Sequence, residues 1–461
     1  MDINKITAVY FVGAGGIGMS ALIRYFLSKG KKVAGYDKTP TGLTEQLNYE
    51  GADIHYEDNV DLIPEDFTDP AKTLVVYTPA VPESHSELSY FRGNGFEVMK
   101  RARVLGEITN CTRGLCVAGT HGKTTTSSMI AHLLKQSHVD CNAFLGGILK
   151  NYDSNLMLSD TSDLTVIEAD EFDRSFHWLT PYMAVITAAD PDHLDIYGTP
   201  EAYRESFEHF TSLIRPDGCL IMKKGIRVTP RLQQGVKFYT YSAADGGDFH
   251  AEHIRVGNGE IYFDFVGPGI RIPDIRLGVP VKVNIENGVA AIALAWLNGL
   301  TPEEIKRGMA TFAGPKRRFD FHLKKENIVL IDDYAHHPAE VKASILSVKE
   351  LYAGRKVTGI FQPHLYTRTR DFAADFAASL SLLDELILLD IYPAREEPIP
   401  GITSEIIFNA ATLPAKKLIR KEELLDLVAS EADKLEVVLM LGAGNIELLV
   451  EPVKQILENK K

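Results

Sequence analysis

The octapeptide at residues 119–126, Gly-Thr-His-Gly-Lys-Thr-Thr-Thr, constrains the fold of this chain more than any other segment. The apolar run Leu115–Ala118 precedes it and is typical of a buried strand, whereas Ser127–Gln136 is typical of a helix. Glycines in such a loop let backbone N–H groups close on phosphate oxygens, and the helix N-terminus adds the positive end of its dipole. The strand, loop and helix therefore predict a phosphate-binding site within an α/β fold.

This loop is shorter than the standard phosphate loop, because Val117 stands where that pattern has a glycine, five residues before Gly122. The Lys123 side chain can reach terminal phosphates, and the Thr124 hydroxyl is a suitable magnesium ligand. A plain strand-to-helix turn is the alternative, but it does not account for a lysine followed by three threonines. We predict that ATP contacts Gly119, Thr120, His121, Gly122, Lys123, Thr124 and Thr125.

The size and composition of the chain limit the classes of protein to which it can belong. Its 461 residues are enough for about three domains. A net charge of −13 argues against general nucleic-acid binding, and the four cysteines show no metal or disulfide spacing. The first ten residues lack the features of a signal peptide, and no apolar run approaches membrane-spanning length. We therefore expect a cytoplasmic protein without a membrane-inserted segment or a nucleic-acid partner.

Strand-like runs alternate with helix-length segments, which is the pattern of α/β proteins. We predict a Rossmann-like N-terminal domain at residues 1–106, a central P-loop-type ATPase domain at 107–313 and a Rossmann-like C-terminal domain at 314–461. Alternating runs near residues 249–256 and 261–266 predict antiparallel strands within the central domain. Ligands bind at the carboxyl ends of strands in open α/β sheets, so polar residues there are candidates for the functional site.

A second glycine-rich loop follows the first predicted strand. Gly13, Gly15 and Gly18 fit the pattern G-x-G-x-x-G, and Asp37 follows at the spacing of a dinucleotide-binding turn. The same geometry binds other nucleotide diphosphates, including a UDP-sugar, and a tight turn alone also requires glycine. An NAD-dependent oxidoreductase is one interpretation, but two nucleotide loops favour a nucleotide-linked substrate together with ATP. The candidate contacts of this nucleotide-linked substrate, a UDP-sugar if the family resemblance described below holds, are Gly13, Gly15, Gly16, Ile17, Gly18, Asp37, Thr78 and Ala80.

Acidic residues follow the strand predicted near residues 164–167. Carboxylates that face a triphosphate normally hold magnesium, and Glu168 is the first of this acidic run. His193 follows another predicted strand, so Glu168 and His193 are suitable ligands for two magnesium ions. A solvated acidic loop and a structural histidine are the alternatives. We predict a metal site that includes Thr124, Glu168 and His193.

The last third of the chain contains candidate site residues that are mostly basic or aromatic. Residues 314–318 predict a linker whose arginines swing onto the γ-phosphate and stabilise its charge, although an exposed basic linker is the alternative. Two polar clusters follow the strands predicted near residues 328–331 and 357–361, and an arginine there can hold a carboxylate through two hydrogen bonds. Surface salt bridges are the other interpretation. The residues concerned are Arg317 and Arg318 in the linker, Asp332, Tyr334 and His336 in the first cluster, and His364 and Arg368 in the second.

Taken in this order, the motifs resemble those of the Mur ligase family of peptidoglycan synthesis, and the resemblance extends over essentially the whole chain. Each motif alone is weak, whereas seven in the same order are highly specific. They are GAGGIGMS at 13–20, GTHGKTTT at 119–126, EADEFD at 168–173, DHLDIY at 192–197, KRRFD at 316–320, DDYAHHP at 332–338 and QPHLYTRTR at 362–370.

The resemblance implies three domains, which bind a UDP-sugar, ATP and an amino acid in turn. It implies that ATP phosphorylates the lactyl carboxylate of UDP-N-acetylmuramate and that L-alanine attacks the resulting acyl phosphate. Lys123 would then contact the β- and γ-phosphates, Thr124 and Glu168 one magnesium ion, and His193 a second. By the same resemblance, Arg317 or Arg318 meets the γ-phosphate, Asn284 and Asn287 lie near adenine, and Arg368 holds the L-alanine carboxylate near Tyr334, His336 and His364; we add Asp332 to the ATP contacts.

Several positions bear on the branch of the family. Relatives that add later residues carry a carbamylated lysine where residues 203–214 contain none, and this favours the branch that adds L-alanine. Val283 replaces a histidine that many relatives have, which leaves the recognition of adenine open, and Arg395 replaces an expected glycine. A ligase that recycles a murein tripeptide onto the same sugar stays an alternative. A non-catalytic nucleotide-binding regulator is a further alternative, although the set of phosphate, metal and arginine positions argues against it.

Overall fold

A computed structural model describes residues 6–244, 246–394 and 396–459. The chain divides into two compact units, which are treated separately below. The first comprises Met1–Glu252, Phe265–Pro273 and Glu286–Thr311, and the second comprises His253–Asp264, Asp274–Ile285 and Phe312–Lys461.

The first sheet belongs to the N-terminal part of the first unit. Its strands are β1 (Ala8–Val12), β2 (Lys32–Tyr36), β3 (Asp53–His55), β4 (Thr73–Tyr77) and β5 (Glu97–Lys100), with helices α1 (Ile17–Ser28), α2 (Gly42–Tyr49), α3 (Ser86–Gly93) and α4 (Arg101–Asn110). All the strand pairs are parallel, in the order β3-β2-β1-β4-β5. β1 is buried along its whole length, as expected for the central strand of a sheet that helices cover on both faces. The order of the strands is that of a Rossmann-like domain, as predicted.

The second sheet contains the phosphate loop. Its strands are β6 (Arg113–Ala118), β7 (Asn142–Leu149), β8 (Ser154–Met157), β9 (Leu164–Ala169), β10 (Pro181–Ile186), β11 (Cys219–Lys223), β12 (Lys237–Ser242), β13 (Phe249–Gly257), β14 (Glu260–Gly267) and β15 (Ile270–Arg276). The accompanying helices are α5 (Lys123–Lys135), α6 (Leu194–Tyr197), α7 (Pro200–Ser212), α8 (Val283–Leu297) and α9 (Pro302–Thr311).

The strands at the centre of this sheet position the candidate site. The order is β15-β14-β13-β12-β11-β10-β6-β9-β7-β8, and β6 pairs in parallel with both β9 and β10. The carboxyl ends of these three strands therefore meet at one edge, where the phosphate loop and the acidic segment also lie. β13 and β14 are neighbours joined by only two residues, a connection that antiparallel strands permit and parallel strands do not.

The first two sheets share one hydrophobic core within the first unit. A single cluster of buried side chains runs from Ile6 to Val228, and the rings of Tyr25 and Phe144 lie 5.5 Å apart. Polar contacts reinforce this packing, because the Asn155 amide donates to the carbonyl oxygen of Ile17 at 2.7 Å. The sugar-binding loop predicted in the first sheet and the phosphate loop in the second are thus parts of one packed body.

The third sheet lies in the second unit. Its strands are β16 (Asp320–Lys324), β17 (Val329–Asp333), β18 (Val357–Phe361), β19 (Glu385–Leu388), β20 (Lys416–Leu418) and β21 (Val437–Leu441), with helices α10 (Pro338–Leu351), α11 (Tyr366–Asp371), α12 (Ala373–Leu380), α13 (Glu405–Ala410), α14 (Leu424–Glu431) and α15 (Val450–Glu458). The order is β16-β17-β21-β18-β19-β20, and among the strand pairs of the described residues only β16–β17 is antiparallel. The parallel strands β17, β21 and β18 bring their carboxyl ends together. Among the described residues, no helix is both long and apolar enough to cross a membrane.

Candidate functional site

The phosphate loop lies between β6 and α5, as the sequence predicts. Gly119 and Gly122 have φ angles of 141° and 83°, a region that favours glycine. A Cβ atom on Gly119 would lie 2.8 Å from the backbone nitrogen of Ala188 and closer still to the Thr187 hydroxyl. That hydroxyl donates to the carbonyl oxygen of His121, so the end of β10 fixes the loop. Helix α5 begins at Lys123, and its first-turn N–H groups therefore adjoin the loop.

Lys123 makes three charged or polar contacts around its ammonium group. Its Nζ atom donates to the Gly119 carbonyl oxygen at 2.8 Å and to both carboxylate oxygens of Glu171, at 2.7 and 2.9 Å. The Glu171 side chain is 2% exposed and that of Lys123 is 14% exposed. Burial raises the pKa of Glu171, and the charge of Lys123 opposes this effect. The predicted phosphate-binding lysine therefore has a buried carboxylate as its partner.

Glu168 lies directly beside the start of α5. Its Oε1 atom accepts a hydrogen bond from the Thr124 hydroxyl at 3.1 Å, and its Oε2 atom accepts one from the Gly146 N–H at 3.1 Å. A Cβ atom on Gly146 would lie 2.6 Å from Cδ of Glu168, so only glycine leaves room for this carboxylate. The sequence prediction did not include Gly146, and its only signal was the Gly-Gly pair on β7.

The donor set suits magnesium. Within the described residues, no group of three or more His, Cys, Asp or Glu side chains forms a metal site by itself. Magnesium usually takes one or two protein ligands and completes its shell with phosphate oxygens and water, so Thr124 and Glu168 suffice on the protein side. His193 has a φ of 51°, and its ring lies edge-on to Phe172 at 5.1 Å. Imidazole is an unusual ligand for magnesium, and a role for His193 at a second ion stays a prediction.

The remaining predicted ATP residues have structural partners. The Thr120 hydroxyl donates to the Asp190 carbonyl oxygen at 2.8 Å and lies 2.9 Å from the Tyr203 hydroxyl. The Asn287 side-chain oxygen accepts from the Thr126 hydroxyl at 3.2 Å, which brings it beside the phosphate loop. In the second unit, the side chain of Asn284 donates to the Val279 carbonyl oxygen at 3.2 Å, and the neighbouring Val283 is 59% exposed. Arg395 lies outside the described residues.

The first glycine loop follows β1. Both oxygens of Asp37 serve the local backbone, because Oδ2 accepts from the Gly15 N–H at 2.6 Å and Oδ1 from the Thr39 N–H at 3.1 Å. Gly13 has a φ of 91° and packs against the Thr78 side chain. Asp37 therefore shapes the loop itself, which weakens the analogy with an acid that binds the ribose of NAD.

A pocket of about 290 Å³ extends from this loop to Glu168. Gly18, Phe144, Gly146 and Arg101 contribute to its lining. The guanidinium of Arg101 packs against Gly18 and lies 3.6 Å from Asp170 in an ion pair. A single pocket thus joins a basic end beside the N-terminus of α1 with an acidic end at the phosphate loop. Ile17, Gly16 and Thr78, from the set predicted to bind the UDP-sugar, also line it, whereas Ala80 is exposed.

In the second unit, Arg317 and Arg318 have different surroundings. Arg317 lies 3.3 Å from Asp332, 2.8 Å from Glu447 and 2.5 Å from the Gly442 carbonyl oxygen. Arg318 is exposed, and its guanidinium lies over the Tyr334 ring at 5.6 Å. The sequence did not separate the roles of these arginines, whereas their contacts distinguish an anchored residue from an exposed one.

Asp332 is almost fully enclosed. Its Oδ1 atom is buried and has no hydrogen-bond partner among the described residues, and burial raises its pKa to about 6. The other carboxylate oxygen faces Arg317. A contact between Asp332 and ATP requires that a buried carboxylate oxygen of Asp332 become accessible, so this contact stays a prediction.

The predicted amino-acid residues lie close together at the carboxyl ends of β17 and β18. The ring of Tyr334 is 5.1 Å from that of His336, which is 6.1 Å from that of His364. The Arg368 guanidinium lies 3.5 Å from Nδ1 of His364. Burial lowers the pKa of His336, which favours its neutral form. A cation, two imidazoles and a phenol therefore share one small region, and their role in binding an amino acid stays a prediction.

Comparison with known proteins identifies the family. Sequence models match residues 8–113 (Mur ligase family, catalytic domain), 117–295 (Mur ligase middle domain) and 317–444 (Mur ligase, glutamate ligase domain). The chain belongs to the Mur ligase family. It is 81% identical over 457 residues to the UDP-N-acetylmuramate–L-alanine ligase of Parabacteroides distasonis, covering 99% of this chain and 98% of the relative. The three-domain α/β fold predicted from the sequence is confirmed.

Solved structures extend the comparison. The crystal structure of the UDP-N-acetylmuramate-alanine ligase of Thermotoga maritima is 27% identical, with a TM-score of 0.81 and 98% coverage of both chains. A murein peptide ligase from Psychrobacter arcticus shares the fold, with a TM-score of 0.65, 21% identity and 99% coverage of both chains. The family is ATP-dependent, and the phosphate loop with Thr124 and Glu168 is suited to ATP and magnesium.

Membership of the Mur ligase family leaves two observed groups without a predicted role. Glu171 was part of the acidic run, but sequence reasoning gave it no role at the site, although it contacts Lys123. Arg101 follows β5 and carries no motif, so no pattern could have singled it out. Both are recognisable only once β9 and the phosphate loop are seen side by side.

Proposed function

We propose that this chain is an ATP-dependent ligase that joins the amino group of L-alanine to the lactyl carboxylate of UDP-N-acetylmuramate, in peptidoglycan precursor synthesis. The observation that carries the proposal is the 81% identity, over 99% of the chain, to a relative of that name. The likeness to the Thermotoga maritima ligase over 98% of both chains supports it. Both substrates and ATP are cytoplasmic metabolites, so we also propose a cytoplasmic location.

The sugar nucleotide is proposed to occupy the pocket beside the first glycine loop. The N–H groups at the start of α1 and the Arg101 guanidinium suit an anionic diphosphate or carboxylate. The pocket continues to Glu168, which would bring the lactyl carboxylate of the substrate near the phosphate loop. This continuity supports the transfer of a phosphoryl group between the two ligands.

ATP is proposed to bind at the loop of residues 119–125. The loop N–H groups and Lys123 would hold its phosphates, and Thr124 and Glu168 would hold magnesium, which neutralises phosphate charge when bound. A second ion at His193 is part of the proposal, supported by the position of His193 after β10. Phosphorylation of the lactyl carboxylate releases ADP and makes an acyl phosphate.

L-alanine is proposed to bind among Tyr334, His336, His364 and Arg368. The Arg368 guanidinium would hold its carboxylate, and the neutral imidazole of His336 is suited to accept a hydrogen bond from the amine. Attack of the amine on the acyl carbon forms a tetrahedral intermediate, from which phosphate departs. Arg318 is the better candidate for the γ-phosphate, because Arg317 already has Asp332, Glu447 and Gly442 as partners.

The alternatives have less support. An NAD-dependent oxidoreductase would use Asp37 at the ribose, but its oxygens accept hydrogen bonds from Gly15 and Thr39. A tripeptide-recycling ligase has the same fold, but the chain is only 21% identical to the Psychrobacter arcticus murein peptide ligase. Absence of any change in nicotinamide absorbance would dismiss the oxidoreductase.

The experiment measures ADP release by the purified protein with magnesium, ATP and UDP-N-acetylmuramate. Release that depends on both the sugar nucleotide and L-alanine is the expected result. Release that requires L-alanyl-D-glutamyl-diaminopimelate in place of L-alanine would favour the recycling ligase. Release with neither of these two acceptors would contradict both the proposed ligase and the recycling ligase. The Lys123→Ala variant should be folded and inactive, and near-normal turnover in it would contradict the assignment of the phosphate loop.

A further inference from the structure

The contact between Lys123 and Glu171 uses the whole hydrogen-bonding capacity of the lysine. An ammonium group has three protons, and Nζ has three acceptors, namely the Gly119 carbonyl oxygen and the two oxygens of Glu171. ATP phosphates that approach this lysine must therefore replace or share an existing partner. Glu171 is the negatively charged partner, so it occupies the position that a phosphate oxygen would take.

Glu171 is held in this position from several sides. The Tyr197 hydroxyl donates to its carbonyl oxygen at 2.5 Å, and the Arg174 N–H donates to the same atom at 3.0 Å. Asp173 and Arg174 have φ values of 52° and 54°, an uncommon conformation for residues other than glycine. Asp173 is also paired with Lys100 at 2.5 Å. These contacts fix the backbone of residues 171–174, from which the Glu171 side chain reaches Lys123.

The consequence is a competition between like charges. A buried carboxylate at 2.7 Å from the lysine neutralises its charge and repels phosphates that arrive at the same place. We propose that Glu171 is a resident counter-ion of Lys123, which holds the lysine in place without nucleotide and weakens the binding of nucleotide phosphates so that ADP can leave. Glu171 is a positioning residue in this scheme, and the inference rests on the proposed ATP site.

The test compares the binding of ADP with magnesium by titration calorimetry, which requires no turnover. Glu171→Gln keeps the shape and one acceptor but removes the competing charge, and it should lower the Kd for ADP about tenfold. The KM for ATP should fall with it, whereas the KM for L-alanine should not change. If Glu171 had only a structural role, the substitution would lower thermal stability without lowering the KM for ATP relative to that for L-alanine.

The matched control is Asp173→Asn, which removes the same charge two residues away, where the carboxylate pairs with Lys100 instead. Its Kd for ADP should stay within about twofold of the parent value. Glu171→Asp withdraws the carboxylate by one methylene and should give an intermediate Kd, and it serves if Glu171→Gln does not fold. The inference would be overturned by an unchanged or higher Kd for ADP in Glu171→Gln, or in Glu171→Asp if only that variant folds. An equal decrease of the Kd for ADP in Asp173→Asn would also overturn it. Failure of the unaltered protein to bind ADP would instead contradict the proposed function.

Discussion

Replacement of Gly146 by alanine tests whether the position of Glu168 sets the rate of the reaction. The added Cβ atom would lie 2.6 Å from Cδ of Glu168, whereas an ordinary contact begins at 3.4 Å. The Oε2 atom of Glu168 would lie closer still, so the carboxyl group must retreat by at least about 0.8 Å and lose its hydrogen bond from the Gly146 N–H. Misplacement of a catalytic group by about 1 Å can lower the rate by about 100-fold. We expect kcat to fall 10- to 100-fold, roughly, and the magnesium concentration for half-maximal activity to rise.

Folding should tolerate this substitution. The group that must move is the end of a flexible side chain, and Gly146 lies in a strand, a conformation that alanine also adopts. Alanine has fewer backbone conformations than glycine in the unfolded chain, so less entropy is lost on folding. The gain of about 0.5–1 kcal/mol from this restriction is similar to the roughly 1 kcal/mol lost with one hydrogen bond. The midpoint of thermal unfolding should therefore stay within a few degrees of its original value.

The assay is ADP release at several magnesium concentrations, together with thermal denaturation. Gly114→Ala is a matched control, because its Cβ atom would make ordinary contacts with Cys116 at 3.5 Å and Ile167 at 3.6 Å in the same sheet. That variant should keep its activity. Unchanged kcat and magnesium dependence in Gly146→Ala would refute the reasoning about Glu168, and equal losses in both variants would attribute the effect to the sheet.

Three further predictions concern the second unit. Arg368→Ala should raise the KM for L-alanine about tenfold or more and leave the KM for ATP nearly unchanged, and an unaltered KM for L-alanine would remove Arg368 from the substrate site. Arg317→Ala should lower the unfolding temperature, because it leaves the buried Asp332 without its partner, whereas Arg318→Ala should mainly lower kcat. A larger decrease of the unfolding temperature in Arg318→Ala than in Arg317→Ala would argue against these two roles. Burial raises the pKa of Asp332 from 3.8 to about 6, so the folded protein binds this proton more tightly, and the resulting stability is lost as the pH rises from about 4 through 6. The pH dependence of the unfolding temperature in that interval should become flatter in Asp332→Asn, and an unchanged slope would contradict the assignment.

The sequence was most informative where a strand is a continuous apolar run. The strands predicted near residues 164–167 and 357–361 are β9 (Leu164–Ala169) and β18 (Val357–Phe361) of the structure, because buried parallel strands are apolar on both faces. Helix α5 was predicted four residues too late. β-branched threonines have low helix propensity, but the hydroxyls of Thr124 and Thr126 find tertiary partners there.

The candidate site was predictable in its parts and not in its pairings. Motifs placed the phosphate loop, the acidic run and the arginines at strand ends, where ligands bind. The partners that restrain them are distant in sequence, since Lys123 and Glu171 are 48 residues apart and Arg317 and Glu447 are 130 residues apart. No local pattern contains such information. The anchoring of Arg317, for example, follows from the parallel neighbours β17 and β21.

The acidic segment after β9 contacts both the end of the first sheet and the start of the phosphate-loop helix. Its carboxylates have different partners, since Glu168 contacts Thr124 and Gly146, Asp170 pairs with Arg101, Glu171 with Lys123 and Asp173 with Lys100. Lys100 is the last residue of β5 in the first sheet and Arg101 begins the next helix, whereas Lys123 begins the helix of the phosphate loop. A shift of this segment must therefore alter the ion pairs on both sides. If the two ligands bind as proposed, a phosphoryl group has to pass between them, and one segment that contacts both regions fixes their separation better than two independent loops would.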